Sequence, residues 1–170
     1  RFDKKSETFR NFSEEDGLQN AEFNMASYCK SSDGTMYFGG INGFNRFRPS
    51  EISQNPHPVK VAFTDFRILN KSIRPGKDSP LNSSITETPE ITLRHQDYMF
   101  SISYAGLMFS NTEGQRFHYL MEGLNDEWID NGNKRAATFT SLDPGKYLFK
   151  VKAANSDGVW SSTERTLPLV

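Results

Sequence analysis

Residues 142–160, LDPGKYLFKVKAANSDGVW, constrain this chain's fold more than any other stretch. Asp143-Pro144-Gly145 is a turn signal, because proline presets φ and glycine accepts the left-handed region. The residues that follow alternate strictly. Tyr147, Phe149, Val151 and Ala153 point one way, while Lys146, Leu148, Lys150 and Lys152 point the other. A period of two with one apolar and one largely cationic face predicts a half-buried strand. Asn155-Ser156-Asp157-Gly158 then supplies a second turn.

An ordinary hairpin with a core tyrosine would show much of this pattern. The offsets of Pro144, Gly145 and Tyr147 favour a tyrosine corner, in which the phenol bonds upstream backbone at the edge of a sandwich. The preceding hundred residues point the same way. Val59, Val61 and Phe63 alternate, and Phe66 and Ile68 continue one residue out of phase, which predicts a bulge near Thr64-Asp65. Residues 70–90 read as loop, with Ile91 and Leu93 as short apolar contacts. Phe100, Ile102 and Tyr104 share one strand face; Phe117, Tyr119 and Met121 share another. Ala137 and Phe139 mark a third, and Trp128 falls in a short strand. No window supports an amphipathic helix. About seven strands in roughly 110 residues is the size of an immunoglobulin-like sandwich. A single open sheet would expose half of these aromatic residues, whereas a sandwich buries them.

The first 48 residues differ in texture. Short alternating runs (Thr8 to Phe12, Glu22 to Cys29, Thr35 to Phe38, Gly43 to Phe47) are separated by Asp16-Gly17, Asp33-Gly34 and Gly39-Gly40. They predict one four-stranded antiparallel unit, the size of a propeller blade that normally stacks on neighbours. No second copy occurs in this chain, so any repeat array is expected upstream. The PSEISQNPHP segment, residues 49–58, is a stiff connector, because proline removes donors and biases the preceding residue to extended backbone. The expected division is therefore 1–55 and 56–170.

Composition sets limits on function. With 20 Lys and Arg against 21 Asp and Glu, the net charge of −1 gives no bulk electrostatic case for nucleic acid or an anionic membrane. Cys29 is the single cysteine, which excludes an internal disulfide and is neutral about compartment. No apolar run reaches the length of a membrane span, no signal peptide is evident, and the chain reads as a segment of something longer.

Two further blocks carry a resemblance. Tyr119-Leu-Met-Glu-Gly123-Leu-Asn-Asp-Glu-Trp128, followed by Arg135, Phe139, Pro144, Gly145, Tyr147, Asn155, Asp157, Gly158 and Trp160, resembles the triple-tyrosine (Y_Y_Y) domain. Asp16-Gly17-Leu18, Phe23, Asp33-Gly34, Tyr37-Phe-Gly-Gly40, Asn42-Gly43-Phe44, Phe47, Pro49 and Ile52 are similar to the closing propeller repeat that precedes this domain. The resemblance implies a fibronectin type III-like sandwich in the extracytoplasmic sensor region of a bacterial hybrid two-component kinase, of the kind in gut Bacteroides that sense oligosaccharides. It further implies a periplasmic, non-catalytic, membrane-proximal segment with no cofactor, working as a homodimer. Ligand would bind the propeller, and a transmembrane helix and histidine kinase would lie downstream. Phe139 departs from the family pattern, which usually has tyrosine there; the aromatic plug is kept and a hydroxyl lost.

Chemical alternatives fit the sequence less well. His57, His95 and His118 lie in different elements without metal-ligand spacing. Asp126, Glu127 and Asp130 lack the alternating ladder and terminal glutamate of a calcium loop and read as a solvated hairpin. Gly39-Gly40-Ile41-Asn42-Gly43 lacks the following helix that a phosphate cradle needs. No G-x-S-x-G elbow occurs. Trp128 and Trp160 fit core or interface packing better than sugar stacking. The face bearing Lys146, Lys150 and Lys152 reads as a solvated strand face or edge protection. An accessory carbohydrate-binding or spacer module of a secreted polysaccharide-degrading enzyme is the alternative function, since fold alone assigns none.

Overall fold

The computed structural model describes residues 2–4, 7–9, 11–53, 55–108 and 112–170. The chain separates into two compact units, Arg1–Gln54 and Asn55–Val170.

In the first unit, among the described residues, β1 (Phe2–Asp3) and β2 (Thr8–Phe9) pair only with each other. A separate antiparallel sheet holds β3 (Phe23–Lys30), β4 (Met36–Gly40) and β5 (Gly43–Phe47). The four-stranded unit expected from the sequence is thus a three-stranded sheet plus a detached pair. Ala26, at φ 59°, interrupts β3, and its register slips between Phe23 and Tyr28. The β3–β4 turn is fixed by Asp33. Its carboxylate accepts from the Thr35 N–H at 3.1 Å and the Thr35 hydroxyl at 2.9 Å, and it ion-pairs with Arg48 at 2.7 Å. Hydrogen bonds from the Ser31 hydroxyl and then Arg48 hold that carboxyl well below the usual carboxylate range. Phe38 and Phe47 stack at 5.8 Å, but Phe23 and Tyr28 beside them are 41 % and 72 % exposed. Among the described residues, this aromatic face is therefore only partly covered, with Phe38 and Phe47 half-buried.

The second unit is a β-sandwich. One four-stranded sheet has the order β11 (Ala136–Thr140), β8 (Met99–Leu107), β6 (Lys60–Ile68), β7 (Lys71–Ser72). The other has the order β10 (Ile129–Asp130), β9 (Arg116–Glu122), β12 (Tyr147–Ala154), β13 (Arg165–Leu169). The pairings within both sheets are antiparallel. The β6–β8 register shifts between Phe63 and Asp65, so the phase change seen in the sequence is a bulge. Phe63, Phe100, Tyr104, Phe117, Phe139 and Phe149 meet between the sheets. Phe63 lies 5.9 Å from Phe149, Phe139 meets Phe149 edge-on at 5.7 Å, and Tyr104 lies 5.3 Å from Phe117. Such tilted and edge-to-face contacts add to the burial of each ring. The long β7–β8 connection contributes as well: Leu81, Ile85 and Ile91 are buried. Ile91 pairs parallel with Leu169, which covers the outer edge of β13.

Candidate functional site

Gly123, Pro144, Gly145 and Tyr147 gather at one end of β12, and Asn155, Asp157 and Gly158 at the other. At its start, the Tyr147 hydroxyl donates to the Asp143 carbonyl at 2.9 Å, closing a tyrosine corner. Pro144 and Gly145 form the exposed turn between them. Gly123 comes from the β9–β10 turn to face this corner. Its φ is 94°, and a Cβ there would meet the Lys146 carbonyl and the Tyr147 ring at 3.0 Å. Glycine is required twice over, by conformation and by space.

At the far end of β12, Asn155 is 2 % exposed and uses its whole side chain. Its Oδ1 accepts from the Asp157 and Val159 N–H groups, each at 2.9 Å, and so builds the turn. Its Nδ2 donates to the carbonyls of Asn55 at 2.9 Å and His57 at 3.2 Å. Asp157 completes the grip, its carboxylate accepting from the Asn55 N–H at 2.6 Å. Gly158, at φ 81°, turns the chain so that its N–H returns to the Asn155 carbonyl. Residues 55–57, which open the sandwich, are thereby clamped to the β12–β13 turn. Pro56 and Pro58 have no N–H, so this stretch cannot enter a regular ladder, and side chains supply its bonds.

A third cluster lies on the outer face of the β9–β12 sheet. Lys152 Nζ sits 4.2 Å from the Trp128 ring centre and 5.5 Å from that of Trp160. The His118 ring lies 4.2 Å from Trp160, and its Nε2 is 3.6 Å from Asp130. Both tryptophans are half-buried on the outside of the sheet, joined through a lysine, rather than part of the inter-sheet core. Lys150 pairs with Glu122 and lies 3.9 Å from Glu164, and the hydrogen bond that it donates to the Glu122 carboxylate raises its pKa.

Tyr119 and Phe139 belong to the inner layer, edge-on at 5.9 Å, with Phe139 also 5.4 Å from Phe100. Arg135 stands apart from the other motif residues. Its guanidinium donates to the Thr112 carbonyl at 2.8 Å, and its own carbonyl accepts from the Tyr104 N–H. Asn55 and His57 were not singled out from the sequence as partners of Asn155. The available signal was the Pro-His-Pro spacing, which leaves carbonyls without ladder neighbours. Nothing local pointed to Lys152 between two tryptophans.

Comparison with known proteins follows the same lines. The family described as "Y_Y_Y domain" matches residues 108–170. "Histidine kinase P4" of Formosa agariphila is 36 % identical over 151 residues, covering 88 % of this chain and 11 % of that protein. Among solved structures, the extracellular domain of BT3049 of B. thetaiotaomicron, described as a hybrid two component system, superposes with a TM-score of 0.76 at 24 % identity. The match covers 97 % of this chain and 22 % of that one. The extracellular domain of BT4673 of the same organism gives 0.60 at 23 % identity, over 99 % and 22 %. The chain thus spans about a tenth of the curated relative and about a fifth of each solved domain. Residues 108–170 match the Y_Y_Y domain family, in a chain whose fold recurs within the extracellular domains of BT3049, described as a hybrid two component system, and of BT4673.

Proposed function

We propose that this chain is the membrane-proximal part of the periplasmic sensor region of a hybrid two-component regulator. In this reading Arg1–Gln54 is the terminal repeat of a propeller, and the sandwich is a non-catalytic coupling element. The propeller binds the ligand, an oligosaccharide. Binding changes how two sandwiches pair, and that change reaches a transmembrane helix and histidine kinase further along the chain. A relative described as a histidine kinase and the hybrid two component description of BT3049 support the setting.

The observation that carries the coupling role is the placement of the two ends of the sandwich. Asn55 is clamped by Asn155 and Asp157 beyond the last residue of β12. Leu169 pairs with Tyr147 at the first residue of β12. The chain therefore enters at one end of the sandwich and reaches Val170 at the other, separated by the length of β12, roughly 25 Å at strand rise. Both ends are tied down: Val170 exchanges backbone bonds with Ile91 and Leu93. A rigid body gripped at both ends passes on a displacement that a flexible tether would absorb. Ligand control then requires two arrangements of the pair whose balance the ligand shifts.

The test replaces the sandwich in the full-length receptor with a Gly/Ser linker of matched reach. Kinase output across a panel of oligosaccharides is expected to lose its ligand dependence while propeller affinity is kept. An unchanged response would overturn the coupling role.

A further inference from the structure

The outer face of the β10-β9-β12-β13 sheet carries a histidine, the side chain type whose charge changes between pH 5 and 8. The strand register decides what His118 meets. Asp130 on β10 and Lys152 on β12 are its direct partners, so one row across three strands reads Asp130, His118, Lys152. Directly paired residues share a sheet face. The imidazole therefore stands with a carboxylate on one side and an ammonium on the other. Its Nε2 is 3.6 Å from the Asp130 carboxylate, beyond hydrogen-bond length, and its ring lies 4.2 Å from that of Trp160.

The two flanking charges are held differently. The Asp130 carboxylate accepts from the Gly132 N–H at 2.8 Å. Lys152 has no carboxylate partner among the described residues; its ammonium rests 4.2 Å from the Trp128 ring centre and 5.5 Å from that of Trp160. The other charges around His118 do not replace that missing partner. Arg116, two residues back on the same face of β9, is exposed and adds a further cation. Lys150, the next outward residue of β12, is taken up by Glu122 and Glu164. Asp126 and Glu127, before Trp128, are exposed.

When His118 is neutral, one cation serves both indoles. When it is protonated, a second cation stands against Trp160, directly opposite Lys152. Like charges directly opposite on a sheet oppose each other by about as much as a cation–π contact at a partly exposed site contributes. The imidazolium has Asp130 to close on, whereas Lys152 has only the rings to keep it in place.

We propose that His118 is a pH switch for this outer face. At neutral pH, Lys152 is seated on Trp128 and Trp160; protonation of His118 draws Asp130 to the imidazolium and unseats Lys152, opening both indoles to solvent. The local charge row and the two rings are the whole device, and it does not depend on the coupling role proposed above.

The test uses this whole chain, in which Trp128 and Trp160 are the only tryptophans, so indole emission reports this cluster alone. Seated beside the indoles, the Lys152 ε-methylene protons lie in their ring currents and resonate upfield of those of other lysines. Titration from pH 8 to pH 5, followed by two-dimensional proton–carbon spectra, is expected to remove most of that displacement, in step with the His118 Cε1–H signal. Quenching of the indole emission by acrylamide should rise over the same range. His118→Gln keeps a planar polar side chain that does not ionise, and should hold the Lys152 signals at their pH 8 position throughout. Methyl signals of Val151 and Leu167, both fully buried, should stay in place and so separate a local change from acid unfolding. Lys152 signals that remain upfield while His118 titrates would overturn the proposal, as would ordinary lysine positions already at pH 8. A parent-like excursion in His118→Gln, or loss of the core methyl signals together with the Lys152 shift, would overturn it too.

Discussion

The Asn155 amide donates to the Asn55 carbonyl at 2.9 Å, joining residues 100 positions apart. Around it are four further bonds made by Asn155 and Asp157, which fix the opening residues of the sandwich to the turn after β12.

Asn155→Ala removes two donors and two acceptors from a buried position and leaves backbone partners unpaired. Each buried orphan costs about 1–3 kcal/mol, so the sandwich should lose about 3 kcal/mol in total after relaxation. Urea denaturation of the substituted and parent chains measures this. Hydrogen exchange at residues 55–59 should rise by more than in the core strands.

The tyrosine corner should cost less. Tyr147→Phe gives up a single bond, from the hydroxyl to the Asp143 carbonyl, at a partly accessible position. A loss of about 1 kcal/mol is expected, with no change in the strand spectrum.

Phe139 touches Phe100, Tyr119 and Phe149 from the centre of the inter-sheet layer. Phe139→Ala should destabilise by about 3–5 kcal/mol through lost burial and the remaining cavity. A thermal transition within a few degrees of the parent would show that the ring is not a core plug.

Tyr104 gives the sandwich an alkaline limit. Burial pushes its phenol from 10.0 up to about 12, against a hydrogen bond from the Asn131 amide that lowers it. The unfolded chain ionises first, so this contribution is fully present below pH 10 and is lost as pH rises from 10 through 12. The loss amounts to about 2 kcal/mol by pH 12. Urea midpoints at pH 9 and pH 11 should fall more steeply for the parent chain than for Tyr104→Phe.

Local patterns carried the sandwich. The alternation from Lys146 to Ala153 is β12, the phase slip after Phe63 is the β6 bulge, and the Pro144-Gly145-Tyr147 spacing is the corner. Long-range contacts were not legible. Asn155 and Asp157 read as a turn because the turn is local, while their grip on Asn55 depends on how the sheets bring distant residues together. Lys152 between Trp128 and Trp160 likewise needs β10, β12 and the following turn to be in place. In the first unit the alternating runs were visible, but they do not encode which runs pair. β1 and β2 pair with each other instead of extending the β3–β5 sheet.

The central claim is that ligand changes how two sandwiches are paired. The most direct measurement attaches a spin label at Ser162, in a Cys29→Ser full-length receptor in membranes, and records the distance between the two copies. Addition of an inducing oligosaccharide should move the population from one distance to another, in proportion to kinase output. A distance distribution unchanged by ligand while kinase output rises would contradict the account.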